Sequence, residues 1–436
     1  MAVLRCGSAV VRAPHCFSLL SGLLRPESAM EVASRQILAR GPAARGIYSH
    51  LGIWSSRIQL SLSHVNVAGW RCNTGSQLRF SSPRLLPRPR SFHTSSVLPS
   101  SPKFSYGIAA CYNAKHRPFS PAANTFTFHS DVAISGRRRG RSARPRSGQD
   151  AFFVSRVGES GDIAFGVADG VGGWTDSGID SSDFSHGFCD SMAYIAFTYP
   201  PSPGAPPLAP QGLIQRGYDD IVSSRSVKGG GTTACVCIAR ADGVLDVANL
   251  GDSGFVLLRL NAVHASSEPQ THAFNTPYQL SIIPERMRLT NAAFGVVQFD
   301  DKPADAAVTS HALRHGDVLV VATDGVWDNL SSQDVLRVVS RTMVSTRAWA
   351  HSDDGIGIGE KLARCTEPLH ALGVSSALQS YLAVSIAAEA KAASTNAKVD
   401  GPFAKEVQKR YPEEGWRGGK VDDICVVVAI VVEESR

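Results

Sequence analysis

Lysine is missing from the first hundred residues of this chain and acids are nearly so: twelve arginines stand against only Glu27 and Glu31. A folded surface mixes both signs, so this Arg-, Ser- and Leu-rich, acid-poor stretch reads as an organelle transit peptide. The alternative, a disordered basic tail for nucleic acid, wants clustered arginines, and these are scattered among apolar residues. No uncharged apolar run reaches ~18 residues, which leaves no transmembrane helix. The apolar stretches near the N-terminus are broken by Arg, which argues against a secretory signal. None of the nine cysteines forms a Cys-x-x-Cys pair, and a reducing compartment fits that usage. Cys235 and Cys237 alternate on an expected strand and share a face, as core residues would. No internal repeat is present. After residue 150 there is no Lys/Arg run to offer a nucleic-acid face. What remains, with 43% hydrophobic and 19% charged residues, is enough for a sizeable core.

Three segments follow from composition: 1–100, a presequence and low-order stretch; 101–147, a linker or N-terminal extension; and 148–436, a globular domain. The opening MAVLRCGSAVVRAPHCFSLLSGLLR can form a basic amphipathic helix, and RSFHTSSV (90–97) resembles a mitochondrial processing site, with RGIYS (45–49) a weaker one. Residues 101–130 read as a linker or a loosely structured early strand. GRRRGRSARPRSG (136–148) carries six arginines, either a solvated loop or a phosphate-facing one. Beyond it, 151–157 and 162–169 read as a hairpin, as do 232–240 and 245–252. Further strands are expected at 255–260, 317–324 and 424–432, on β-branched content. Helices are expected at 183–199, 209–224 and 332–344, the last with Ser331 or Ser332 as N-cap, and across roughly 358–395. Strand pairs, then helices, then strands suggest layered sheets and helices, not repeating βαβ units.

Carboxylates recur where strands meet glycine-containing loops. GVADGVGGW places Asp169 at a strand end, VATDGVWD places Asp324 with Asp328 one turn on, and ANLGDSG places Asp252 between glycines. GGKVDDICVVV places Asp422 and Asp423, and SGQDAFF places Asp150. Each alone is a good turn residue. Turns would also use Asn and Ser freely, so the repetition of acids points to joint clustering. Close carboxylates repel and would have to protonate; a divalent cation removes that penalty. All-oxygen ligands select Mg²⁺, Mn²⁺ or Ca²⁺ over zinc. Two such ions roughly 4 Å apart can hold a water, lower its pKa and clamp a phosphoryl group.

GQDAFF, VADGVGG, GGTTACV, NLGDSG, ATDGVWD and VDDICVVV fall in the order found in the metal-dependent type 2C (PPM) serine/threonine protein phosphatases, which residues 148–432 resemble. VADGVGGW, FNTPYQL (274–280) and the basic presequence resemble the mitochondrial branch. The resemblance implies an α+β, four-layer αββα sandwich: two central antiparallel β-sheets flanked by helices, with two Mn²⁺ or Mg²⁺ at one end. By residue it implies that Asp169 bridges both metals, with the Gly170 carbonyl as a ligand and Asp324 and Asp422 completing the centre. Asp150 would hold a water of that centre. Asp252 and Asp328 would help form a weaker third metal site, and Arg144 or Arg146 would grip the substrate phosphate. Two departures stand out. Val171 replaces a histidine proposed as general acid, and valine has no proton to give. Gln149 replaces an acid, keeping hydrogen bonding without charge. The implied activity is hydrolysis of phosphoserine and phosphothreonine in the mitochondrial matrix, on phosphorylated mitochondrial proteins, by a monomer. The alternative is a non-catalytic phosphoprotein-binding regulator, for which three mutually repelling acids would have no use. Trp174 and Trp327 are expected to pack or anchor loops, and His186 to be an ordinary helix residue.

Overall fold

The computed structural model describes residues 103–129, 141–200, 206–295, 299–353, 355–367 and 377–434. The expected transit segment, its processing sites and the arginines at 137–139 lie outside these residues, as does part of the helical region expected at 358–395. The strand-and-helix pattern resolves into two all-antiparallel sheets. One has six strands, in the spatial order Thr125–Thr127, Phe104–Asn113, Ile424–Glu433, Val318–Ala322, Gly254–Arg259, Ala262–Ser266. The other has five, in the order Ala307–Ala312, Val244–Leu250, Ala234–Ala239, Ile163–Asp169, Asp150–Arg156.

The last strand shows why continuous apolar runs occur here. Cys425, Val427, Ala429 and Val431 pack with Phe152, Phe165, Cys235 and Cys237 between the sheets. Val426, Val428 and Ile430 face the opposite way, onto helices Ser332–Ser345 and Leu378–Ser394. The outer face of the five-stranded sheet is covered likewise by Ser182–Phe197 and Pro210–Ser224 through Phe184, Phe188, Leu213 and Ile214. A strand buried on both faces loses the polar alternation of a half-exposed one, and each such buried aliphatic contributes about 1.5–3 kcal/mol. The result is the expected four-layer αββα sandwich.

The sheet begins earlier than composition suggested. Phe104–Asn113 lies in the segment set apart as an extension, yet it pairs along its whole length with Ile424–Glu433. Its partner is more than three hundred residues away, and no local hairpin signal announces such a pairing. Helix Ser332–Ser345 starts where its cap chemistry requires. Ser331 accepts from the Asp334 amide while Asp334 accepts from the Ser331 amide, a reciprocal capping box. Ser331→Ala is expected to lower unfolding free energy by about 1 kcal/mol, read from a denaturant midpoint at unchanged m-value.

Candidate active site

Antiparallel pairing decides which distant residues meet. Asp150 starts one strand, Asp169 ends its neighbour, and the two are direct cross-strand partners. Asp252 follows Val244–Leu250 on the same rim, since Leu250 opposes Ala234, the residue after Thr233. In the six-stranded sheet Asn113 opposes Ile424, and Ala322 opposes both Val426 and Gly254. Lys115, Thr323, Asp324, Asp422 and Asp423 therefore come off one rim as well.

Hydrogen bonds lock the two rims together. Thr323 Oγ1 donates to Asp150 Oδ2 at 2.8 Å. Asp423 takes the Lys115 amide on one oxygen and the Gln149 amide on the other, each at 2.7 Å. Asp169 is held through its backbone: its amide donates to Thr233 Oγ1, and its carbonyl accepts from the Thr233 amide and Thr232 Oγ1. That leaves its carboxylate for the cavity. Gly170 sits so close to the chain that a Cβ would lie 2.8 Å from the Gln149 carbonyl oxygen and 3.0 Å from that of Ser181. A bare residue is needed there for close approach as much as for turning.

Between the rims lies a cavity of about 180 Å³ lined by Asp169, Gly170, Asp252, Asp324, Asp422 and Asp423, with Lys115, Lys420, Gln149 and Val171. Asp150 is buried against Thr323 beside it, and Asp328 reaches its edge through Lys420. Asp324, Asp150, Asp422 and Asp252 stand near enough to Asp169 for their charges to act on it. Arg144 and Arg146 do not line this cavity. They border a separate depression with Ser182 and His186, where Arg144 Nη1 is paired with Asp183 at 2.8 Å. His186 is a buried helix residue.

Charge crowding shows in the protonation equilibria. Burial, then the charges of Asp324 and Asp150, push the Asp169 carboxyl well above the usual range. Burial, then Asp423, does the same to Asp150, and burial with Asp324 lifts Asp252 to about 7. Burial would raise Asp324 too, but the Lys420 ammonium and the surrounding hydrogen bonds hold it below its ordinary value. Such a set of oxygens, several of them mutually repelling, suits hard divalent cations. Asp252 Oδ1 supports that fit: it is buried with no hydrogen-bond partner. Among the described residues, no three acidic, His or Cys side chains are drawn tightly enough to hold an ion as they stand.

Val171 faces both this cavity and an adjoining apolar groove of about 240 Å³ lined by Trp174, Ile283, Met287 and Phe299. Trp174 Nε1 donates to Gln279 Oε1, so it anchors a loop while bordering the groove. Trp327 Nε1 donates to the Ala322 carbonyl and is a loop anchor.

Known proteins resemble this chain. The family model described as "Protein phosphatase 2C" matches residues 215–367. The Saccharomyces cerevisiae "Protein phosphatase 2C homolog 7, mitochondrial" is 31% identical over 353 residues, covering 78% of this chain and 91% of the relative. The chain belongs to the protein phosphatase 2C family. A Drosophila yakuba relative, "Protein phosphatase PTC7 homolog fig", is 32% identical over 310 residues, covering 69% of this chain and 82% of its own. The solved structure of the photosystem II phosphatase PBCP has the same fold: TM-score 0.50 at 23% identity, over 75% of this chain and 98% of that one. As a protein phosphatase 2C member, this chain is a protein phosphatase, and phosphoproteins are its class of substrate. Among the described residues no helix is long and apolar enough to cross a membrane.

Sequence reasoning missed the two lysines of this phosphatase's cavity. Lys420 had a signal: in GGKVDD it stands two before Asp422, hence on the same face of an extended run. Lys115 had none, because it reaches the cavity only through the pairing of Phe104–Asn113 with the last strand.

Proposed function

We propose that the protein is a mitochondrial Mn²⁺- or Mg²⁺-dependent serine/threonine phosphatase. The observation that carries this reading is the convergence of Asp169, Gly170, Asp324 and Asp422, from three separate chain segments, on one cavity. The Asp169, Asp324 and Asp422 carboxylates and the Gly170 carbonyl would hold two cations. Bound there, the cations would supply the charge that lowers the pKa of an attacking water and neutralises the phosphoryl oxygens. Asp150, fixed by Thr323, is placed to orient water through its free oxygen, and Gln149 adds a neutral hydrogen-bonding amide. Val171 cannot protonate the leaving alkoxide, so that proton comes from solvent or from another side chain.

The side chain for the substrate phosphate is Lys115. Its ammonium stands 3.9 Å from Asp422 Oδ1, and its side chain is 43% exposed. Lys420, in contrast, is enclosed by carboxylates, and Arg144 is committed to Asp183. Lys115→Gln is expected to raise KM for a phosphopeptide by about 10-fold, with Lys115→Arg recovering most of it. An Arg144→Gln variant with the larger KM effect would return the role to Arg144.

The mitochondrial location rests on the composition of residues 1–100 and on the yeast relative, whose name carries the same compartment. The proposed site is the matrix, and the substrates are phosphorylated proteins there. The decisive experiment is phosphate release from phosphoserine and phosphothreonine peptides. Activity is expected to vanish with EDTA and return with Mn²⁺ or Mg²⁺. Metal-independent turnover, or binding without turnover, would end this reading, the second outcome in favour of a phosphoprotein-binding regulator.

A further inference from the structure

Lys420 is the most heavily engaged cation in the cavity. Its ammonium lies 2.7 Å from Asp324 Oδ2, 2.6 Å from Asp328 Oδ2 and 3.2 Å from Asp422 Oδ2. An ammonium has three hydrogens to donate: they go to Asp324, to Asp328 and, at 3.5 Å, to Asn275 Oδ1, with Asp422 adding an ion pair. The ring of Phe403 closes another side, its centroid 5.0 Å from Nζ. The side chain is 15% exposed. The backbone is fixed too. The Lys420 amide donates to Asn329 Oδ1, and Asn329 Nδ2 donates back to the Lys420 carbonyl and to that of Gly325, each at 2.9 Å. Asn329 thus ties Lys420 to the turn that carries Asp324 and Asp328.

We infer that Lys420 is a built-in cation: its ammonium fills the corner between Asp324 and Asp328, where the phosphatase would otherwise take a third, weaker divalent ion. This rests on the proposed two-cation centre and concerns only what stands next to it. The physical reason is competition. A weak oxygen site has a dissociation constant of about 1 mM, whereas a side chain already held in place has a local concentration of at least that order. A third ion must first displace that ammonium, so its apparent dissociation constant rises above that of an empty site. The ammonium also offsets carboxylate repulsion when no metal is bound, which a diffusible ion cannot do.

The test counts bound Mn²⁺ on the full chain by the loss of the free-ion electron paramagnetic resonance signal, alongside thermal melting in EDTA. Wild type is expected to take up two ions and no third below about 1 mM. Lys420→Met is expected to gain one weak site, to melt several degrees lower in EDTA, and to recover with Mn²⁺. Lys420→Arg keeps the charge and is expected to stay at two. Should Lys420→Met fail to fold, the wild-type count decides the matter: two if the ammonium holds the corner, three if a metal does. A third ion on wild type, or equal counts for wild type and Lys420→Met, would overturn the inference while leaving the two-cation centre standing. No Mn²⁺ binding by any of the proteins would overturn both.

Discussion

Asp169→Asn is expected to lower metal-dependent phosphopeptide hydrolysis by about 10³-fold while leaving the fold intact. The two halves of that result have separate causes. The backbone of Asp169 is pinned by Thr232 and Thr233, and none of those bonds uses the carboxylate. An asparagine of the same shape keeps them all. The carboxylate itself is crowded by Asp324 and Asp150, which is why its pKa is driven up. Removing one charge from that crowd relieves repulsion in the metal-free protein, so melting in EDTA should stay level or rise. The same charge is what the proposed cations need, so Mn²⁺ should stabilise the variant less than wild type. Phosphate release and paired melts with and without Mn²⁺ check all three. A variant with more than a tenth of wild-type activity would remove Asp169 from the centre. Asp324→Asn should also abolish turnover, but it differs in stability because Asp324 is a partner of Lys420; its metal-free melt should fall.

Gly325→Ala is expected to cost about 3 kcal/mol or more of folding stability and to abolish activity with it. Gly325 lies in the turn Asp324–Trp327, pressed against the chain that carries Asp422 and Asp423, and a Cβ there would overlap the Asp423 carbonyl oxygen. That oxygen cannot step aside cheaply. The Asp423 side chain holds two backbone amides, and Ile424 next to it begins the ten-residue strand at the centre of the six-stranded sheet. The clash would drive apart the two segments that present Asp324 and Asp422. Gly173 is the control. A Cβ there meets nothing within 4 Å, so Gly173→Ala should leave stability nearly unchanged. Denaturant melts of the two variants, side by side, separate close approach from ordinary turn chemistry.

Much of this was readable in one dimension. The hairpin through Asp150 and Asp169 has its register because both strands are strongly apolar and the chain returns directly. The helix at 332–345 has its start because Ser331 and Asp334 cap it. The motifs Asp169-Gly170, Asp324-Gly325 and Asp422-Asp423 stood out because acids replaced the mixture of polar residues that turns normally use. Other features were hidden for a common reason, that they depend on contacts between segments far apart in sequence. Phe104–Asn113 is a strand because Ile424–Glu433 is there to pair with it. Arg144 and Arg146 are near Asp150 in sequence, yet Arg144 is drawn to Asp183 on the helix behind the rim.

The amino-acid sequence by itself determined the strand and helix runs, the acids and the family, since periodicity, turn chemistry and ordered motifs are local properties written residue by residue. Tertiary structure alone decided which charges answer those acids. An ion pair depends on distance through space, and only the antiparallel closure of two sheets brings Lys420 within hydrogen-bonding reach of Asp324, Asp328 and Asp422 and places Lys115 at the mouth of the same cavity.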